Sequence, residues 1–318
     1  GNPSPDYDGS ARKGENLFTN SILALRLDTG KLAWYYQTIH HEVWDFDLVT
    51  GPVLFDVKMG DRLIKGVASG GKNCYLYMWH RDTGKPINPM VEMAVPTKTD
   101  VPGEEIWPTQ PFPHTAKGVP MAPFCETYPM IVDPELAKRA RQIYHPYSIK
   151  EKYILSHGGS SYGSPAFSPL TNLLYISGKN AAVSFTVRPV GDSLRQSDEG
   201  VGHTGSIAEG PFRDKDVGVP NRETVSAYHP GTGELVWQVE YPSASSIGAT
   251  GNFVSAGNLV FQGSDTGMFY AFDARNGKQL FTYKAPRSIR MSPMTYKANG
   301  KQYVTIVATG SVLAFALP

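Results

Sequence analysis

A chain of 318 residues can bury a substantial core as one large domain or two average ones, so neither a disulfide scaffold nor disorder is needed to account for it. Thirty Lys and Arg against 29 Asp and Glu leave a formal net charge of +1, which provides no electrostatic footprint for nucleic acid or an anionic membrane surface. Two cysteines, Cys74 and Cys125, stand in no CxxC, CxxCH or zinc-ligand spacing; this excludes a covalent haem or zinc site within the sequence and leaves either a disulfide or two buried thiols.

No apolar run approaches the roughly 20 residues needed to cross a bilayer. The opening Gly1-Asn2-Pro3-Ser4-Pro5 lacks the basic and apolar regions of a signal peptide, so any export signal is expected upstream. Dispersed Gly and Pro separate short runs rich in Val, Ile, Leu, Tyr and Phe, the pattern of many brief strands joined by turns.

In chain order, the first clear element is an apolar strand, a Gly turn and a second strand ending in Trp, over Leu23 to Trp34. The same phrase returns over Ala227 to Trp237 and over Ala271 to Phe281, with degenerate copies at Met78 to Lys85 and Ala166 to Tyr175. Asp and Thr satisfy the turn backbone, Gly takes the left-handed conformation, and the closing aromatic is expected to pack between neighbouring units. Gly233 and Gly277 are roughly 44 residues apart, the length of one four-stranded blade, which favours a radial β-propeller. Residues 88–147 break this rhythm with a proline-rich run that cannot supply central strands, and are expected to form a long excursion over one face. One short helix is expected over Pro134 to Ile143, with Asp133 as N-cap and Pro134 at the first helical position.

Gly1-Asn2-Pro3-Ser4-Pro5, then Asn16 to Ser21, the blade phrase ending at Trp34, and His40-His41-Glu42-Val43-Trp44-Asp45-Phe46-Asp47 together resemble, in order and spacing, the central region of quinoprotein dehydrogenases. The resemblance implies an all-β fold: one partial propeller domain over 1–318, part of an eight-bladed ring of four-stranded antiparallel blades. It implies oxidation of an alcohol or sugar hydroxyl with pyrroloquinoline quinone and Ca²⁺, or a lanthanide ion in its place. By carry-over, Asn2 is a metal ligand and Asp45 is both the catalytic base and a metal ligand. Residue chemistry agrees, since hard cations take amide and carboxylate oxygens and a carboxylate can accept a hydroxyl proton. Asp47, two residues on, would share the cation in an extended segment. Lys72, with Asn73 beside it in Ser69-Gly70-Gly71-Lys72-Asn73, falls where the family places a cation on the quinone oxygens. His40 and His41, adjacent on an extended segment, would point to opposite faces and are read as supporting structure.

His157 to Phe167 resembles the family's Gly-Gly-x-Asn-Trp loop near the quinone, with Ser161 and Tyr162 in place of the Asn and Trp, which makes Ser161, like Asn73, a candidate cofactor contact. Ile247 to Asn252 is also family-like, making Asn252 a candidate cofactor contact. The upstream Glu ligand, vicinal disulfide and aromatic floor of the family have no counterpart, so the remaining N-terminal part of the propeller is an expected partner. A cytochrome c or membrane quinone is the expected electron acceptor, in the periplasm. The competing readings are a non-enzymatic propeller scaffold, which has no use for these motifs at these offsets, and an inactive fragment.

Overall fold

Brief strands punctuated by turns are what the chain forms. The computed structural model describes residues 1–185, 187, 220–244 and 250–317. A hairpin of β1 (Ser21–Leu25) and β2 (Leu32–Gln37) comes first, followed by a meander of β3 (Val53–Met59), β4 (Arg62–Gly70) and β5 (Leu76–His80). β6 (Met90–Ala94) pairs with β7 (Thr109–Pro113), and, after a single helical turn α1 (Pro134–Ala137), β8 (Tyr153–Ser156) pairs with β11 (Ala182–Phe185). Between those two lie β9 (Ala166–Ser168) and β10 (Leu173–Asn180), which join β12 (Arg222–His229) and β13 (Glu234–Pro242) in one antiparallel sheet. β14 (Phe253–Val254), β15 (Leu259–Gly263), β16 (Met268–Asp273) and β17 (Gln279–Lys284) form a second four-stranded sheet. β18 (Met294–Ala298), β19 (Lys301–Ala308) and β20 (Ser311–Phe315) close the order as a meander.

Inner strands are buried on both faces, because successive side chains enter different neighbours. Along β10, Leu174 and Ile176 pack with Phe55, Leu76 and Met78 of the preceding meander, whereas Leu173 and Tyr175 pack with Val260, Tyr270 and Phe272 of the following sheet. β16 repeats this: Tyr270 and Phe272 face backward, and Phe269 and Ala271 meet Ile306 and Ala308 of β19. On the other side of the β3–β5 meander, Val67, Tyr77 and Trp79 receive Ile22, Trp34 and Tyr36 of the first hairpin. These five sheets therefore stack face to face, with the β6–β7 and β8–β11 pairs outside the stack's chain order. Each fully buried large side chain, such as Tyr175, Tyr228 or Phe269, contributes about 1.5–3 kcal/mol relative to exposure.

Four of the five expected hairpins are present; the Met78-to-Lys85 copy forms a turn after β5 closed by a single bridge between Trp79 and Pro86. β1–β2, β12–β13 and β16–β17 each carry a bulge at the same point, and Gly30, Gly233 and Gly277 take positive φ in their turns. The degenerate copy at Ala166 to Tyr175 is the β9–β10 hairpin, with Asn172 at φ +55° in place of Gly.

The helix is shorter than expected. Asp133 caps it as predicted, accepting from Glu135 N and Leu136 N at 2.9 Å each, but it ends at Ala137. Beyond that point Arg141 N donates to Ile154 O and Ile154 N to Arg139 O, both at 2.9 Å, so tertiary pairing with β8 replaces the helical bonds of the last residues. Within 88–147 the proline-rich run supplies β7, whose Pro111 and Pro113 sit in a two-stranded pair where a missing donor leaves no central ladder broken. Val101, Ile106, Tyr144 and Tyr147 of this stretch join Trp44 and Phe46 in one buried cluster. Cys74 and Cys125 form a disulfide, joining the β4–β5 turn to the same stretch.

Candidate functional site

Four backbone segments converge beside the β4–β5 turn. Lys72 N donates to Asp47 O at 3.0 Å, and Ser160 N donates to Gly71 O at 3.2 Å, which ties the turn to the Trp44-to-Asp47 segment on one side and the His157-to-Ser161 loop on the other. Glycines make this approach possible: a Cβ on Gly71 would sit 2.8 Å from Asp47 O, and one on Gly159 would sit 2.3 Å from Lys72 Cα. The fourth segment is the chain start, where Asn2 N donates to Asp47 Oδ1 at 2.6 Å.

Lys72 Nζ bridges the two carboxylates, at 2.7 Å from Asp45 Oδ1 and 2.6 Å from Asp47 Oδ2. All three side chains are only 12–14% exposed, so the contacts are largely desolvated and one ammonium faces two carboxylates. Asp45 turns its other oxygen, Oδ2, toward Tyr7 Oη and His157 Nε2, each at 3.5 Å. Burial alone pushes the Asp45 carboxyl up, but hydrogen bonding from His157 and the charge of Lys72 outweigh it and hold the group well below the usual carboxylate range. Burial likewise disfavours the Lys72 ammonium, and the two carboxylates overcome that and raise it. Asp45 adopts φ +62°, a conformation that costs a non-glycine residue about 1–3 kcal/mol and persists only where its surroundings enforce it.

It is the backbone of Asn2 that reaches Asp47; its side-chain Nδ2 is buried and makes no hydrogen bond. Asn2, Asp45, Asp47 and Lys72 are thus brought together. The other candidates are placed differently. Asn73 turns inward, its Nδ2 donating to Tyr77 Oη at 2.6 Å and Tyr144 Oη at 2.9 Å. Ser161 is 1% exposed with its Oγ unbonded, next to the Gly159 and Ser160 that touch the Lys72 turn. Asn252 belongs to a separate network, donating to Gln262 Oε1 and accepting from Ser177 Oγ, and its N–H donates to Ser164 O of the His157 loop. Of the family-like Ile247-to-Asn252 segment, residues 247–249 lie outside the described residues.

The two histidines before the turn act through different partners. His41 is buried, paired with Glu104 Oε1 at 2.7 Å and with Gly14 O at 2.7 Å, while His40 meets Gln37 Oε1 at 2.7 Å. Glu104 also accepts from Gly9 N, so a residue of the 88–147 stretch fastens the chain start that carries Asn2. Among the described residues no cluster of three His, Cys, Asp or Glu side chains stands ready for a metal ion; the side-chain oxygens that meet Lys72 are those of the two carboxylates.

Sequence reasoning missed Tyr7 and the part played by His157, since a lone Tyr in a loop carries no signal of the residue it will touch. It also missed a second buried charge cluster. Lys179 pairs with Asp265 and lies 3.5 Å from Glu223 Oε1, and all three are nearly inaccessible. Burial lifts the Glu223 carboxyl to about 8 despite Lys179.

Stacked antiparallel sheets carrying a carboxylate–lysine–carboxylate site define an all-β protein with an ionic centre among the loops beside the β4–β5 turn. Residues 1–304 match the family described as glucose/ethanol/alcohol dehydrogenase, β-propeller domain, in which PQQ is the cofactor, and the chain belongs to that family. It is 30% identical over 336 residues to the dehydrogenase subunit of the quinone alcohol dehydrogenase of Komagataeibacter europaeus, covering all of this chain and 40% of that protein. It is 27% identical to the glycerol dehydrogenase large subunit of Gluconobacter thailandicus, covering 98% of this chain and 49% of the relative. In fold it is similar to the quinohemoprotein alcohol dehydrogenase of Comamonas testosteroni, with a TM-score of 0.64, 23% identity, and coverage of 96% of this chain and 41% of that one. A europium-containing methanol dehydrogenase gives a TM-score of 0.61 at 21% identity, covering 93% of this chain and 45% of the other. The chain spans less than half the length of these relatives.

Proposed function

We infer that this chain is the C-terminal half of the propeller domain of a quinoprotein oxidoreductase that converts an alcohol or sugar hydroxyl to the carbonyl. The observation that carries this reading is the meeting of the Asn2 backbone with the side chains of Asp45, Asp47 and Lys72 at one largely desolvated point in a chain of the quinoprotein family. In such an enzyme pyrroloquinoline quinone supplies the two-electron acceptor and a bound metal ion supplies Lewis acidity.

The residues present suit both groups. Two largely desolvated carboxylates are the hard oxygen donors that Ca²⁺ or a lanthanide ion takes, and Asp45, Asp47 and the amide oxygen of Asn2 would hold it. Asp45 Oδ2, the oxygen turned away from Lys72 and toward Tyr7 and His157, would take the proton of a substrate hydroxyl. Lys72 keeps a fixed positive charge in a poorly solvated position, where charge stabilisation is worth most. Asn73 supports it by fastening the same turn to Tyr77 and Tyr144. A cytochrome c or a membrane quinone is the acceptor for the electrons, and the compartment is the periplasm.

The test is a bound-quinone absorption spectrum of the full-length protein reconstituted with pyrroloquinoline quinone and Ca²⁺ or La³⁺. Stoichiometric bound quinone is expected; no retained quinone with either ion would overturn the reading in favour of a non-enzymatic scaffold.

A further inference from the structure

The Asp45 turn has a built-in clamp that none of the site motifs accounts for. Glu42 is fully buried, and its side chain folds back so that Oε1 accepts the backbone N–H of Trp44 at 2.6 Å and of Phe46 at 2.9 Å. These are the residues on either side of Asp45, the one residue of the turn with φ +62°. A single oxygen thus holds the peptide that follows the left-handed residue, Asp45–Phe46, and the one before Trp44, Val43–Trp44, pinning the turn on both sides of Asp45 and so setting where its carboxylate points. Its other oxygen, Oε2, makes no hydrogen bond, so the carboxyl is committed to this task.

The rest of the turn is locked around the same residue. Trp44 Nε1 donates to His145 O at 2.9 Å, and Trp44 O accepts from Tyr147 Oη at 3.3 Å. The Glu42 carbonyl accepts from Arg12 at 2.6 Å, and the same guanidinium nitrogen reaches Pro5 O at 2.8 Å, joining the turn to the segment that begins with Asn2.

We propose that Glu42 is a positioning residue for the oxidation, holding Asp45 in its left-handed conformation through the two bracketing backbone bonds; this rests on the assignment of Asp45 as the base. A neutral oxygen can accept the same two N–H groups, so acceptor geometry, rather than negative charge, is the property that matters.

In the full-length, quinone-loaded protein, Glu42→Gln is expected to stay within about threefold of the parent in kcat, whereas Glu42→Leu loses tenfold or more in kcat with KM changed less than about threefold. Equal loss in both variants, or no loss in Glu42→Leu, overturns the proposal. A thermal-unfolding cycle, which needs no activity, covers the case where Glu42→Leu folds poorly. Glycine accepts positive φ without the clamp, so Asp45→Gly should shrink the stability loss caused by Glu42→Leu. An undiminished loss when Glu42→Leu is combined with Asp45→Gly overturns the proposal even if Asp45 proves not to be the base.

Discussion

The indole of Trp237 in β13 lies on Gly277 of the next sheet and donates Nε1 to the carbonyl of Ala274 in the same turn, at 3.0 Å. Trp34 in β2 makes the same contact with Gly84 and with Arg81 O, at 2.9 Å. In both cases the acceptor lies three residues before the glycine, so the repeated phrase is a plug on one sheet and a socket on the next. The third copy ends in Phe281, which has no N–H to donate and instead meets Phe315 of β20 edge-on.

This contact predicts the cost of filling the socket. In Gly277→Ala the new Cβ would meet the Trp237 ring at 2.7 Å at a residue with φ +73°. A stability loss of roughly 2–4 kcal/mol is expected, combining left-handed strain with overpacking. Gly300→Ala, at φ +76° with open space around it, should cost only about 1–2 kcal/mol. Urea unfolding midpoints of the two variants provide the comparison, and equal losses would mean the indole contact contributes nothing.

Much of this is readable in the sequence. The fixed offset from Gly to the closing aromatic identifies the hairpins, and even the degenerate Met78-to-Lys85 copy is the socket that receives Trp34. The helix is overextended in that reading because local propensity carries no knowledge of Ile154, whose backbone captures Arg139 and Arg141. At the site, Asp45 and Lys72 are 27 residues apart, and only the family resemblance joins them; the register of β4 and the close approach at Gly71 make the contact. Glu42, Tyr7 and His157 are not legible as its supports, because a side chain that folds back onto a turn or reaches across loops leaves no periodic trace.

The buried Glu223 gives stability a particular pH dependence. Burial raises its carboxyl from 4.5 to about 8 in the folded protein, so between those values the native state holds a proton that the unfolded chain has released. Its contribution is fully present below pH 4.5 and is lost as pH rises through about 8. Glu223→Gln should therefore lose less stability than the parent between about pH 5 and pH 8.5, as measured by urea midpoints; parallel pH profiles would contradict the assignment.

Asp47 offers a probe of the cation site that is independent of turnover. Its two oxygens engage Lys72 and Asn2 N, at the point where the proposed ion is shared with Asp45. Equilibrium dialysis of Ca²⁺ and La³⁺ against the full-length protein should show affinity lowered about tenfold or more in Asp47→Ala. Unchanged affinity for both ions would remove Asp47 from the ligand set.

The most direct measurement is dye-linked alcohol oxidation by full-length Asp45→Ala that still retains its bound quinone. Loss of the base should lower kcat by about 10²-fold or more while the quinone spectrum persists. Oxidation at the parent rate by that quinone-loaded variant would contradict the assignment of Asp45 as the group that takes the substrate's proton.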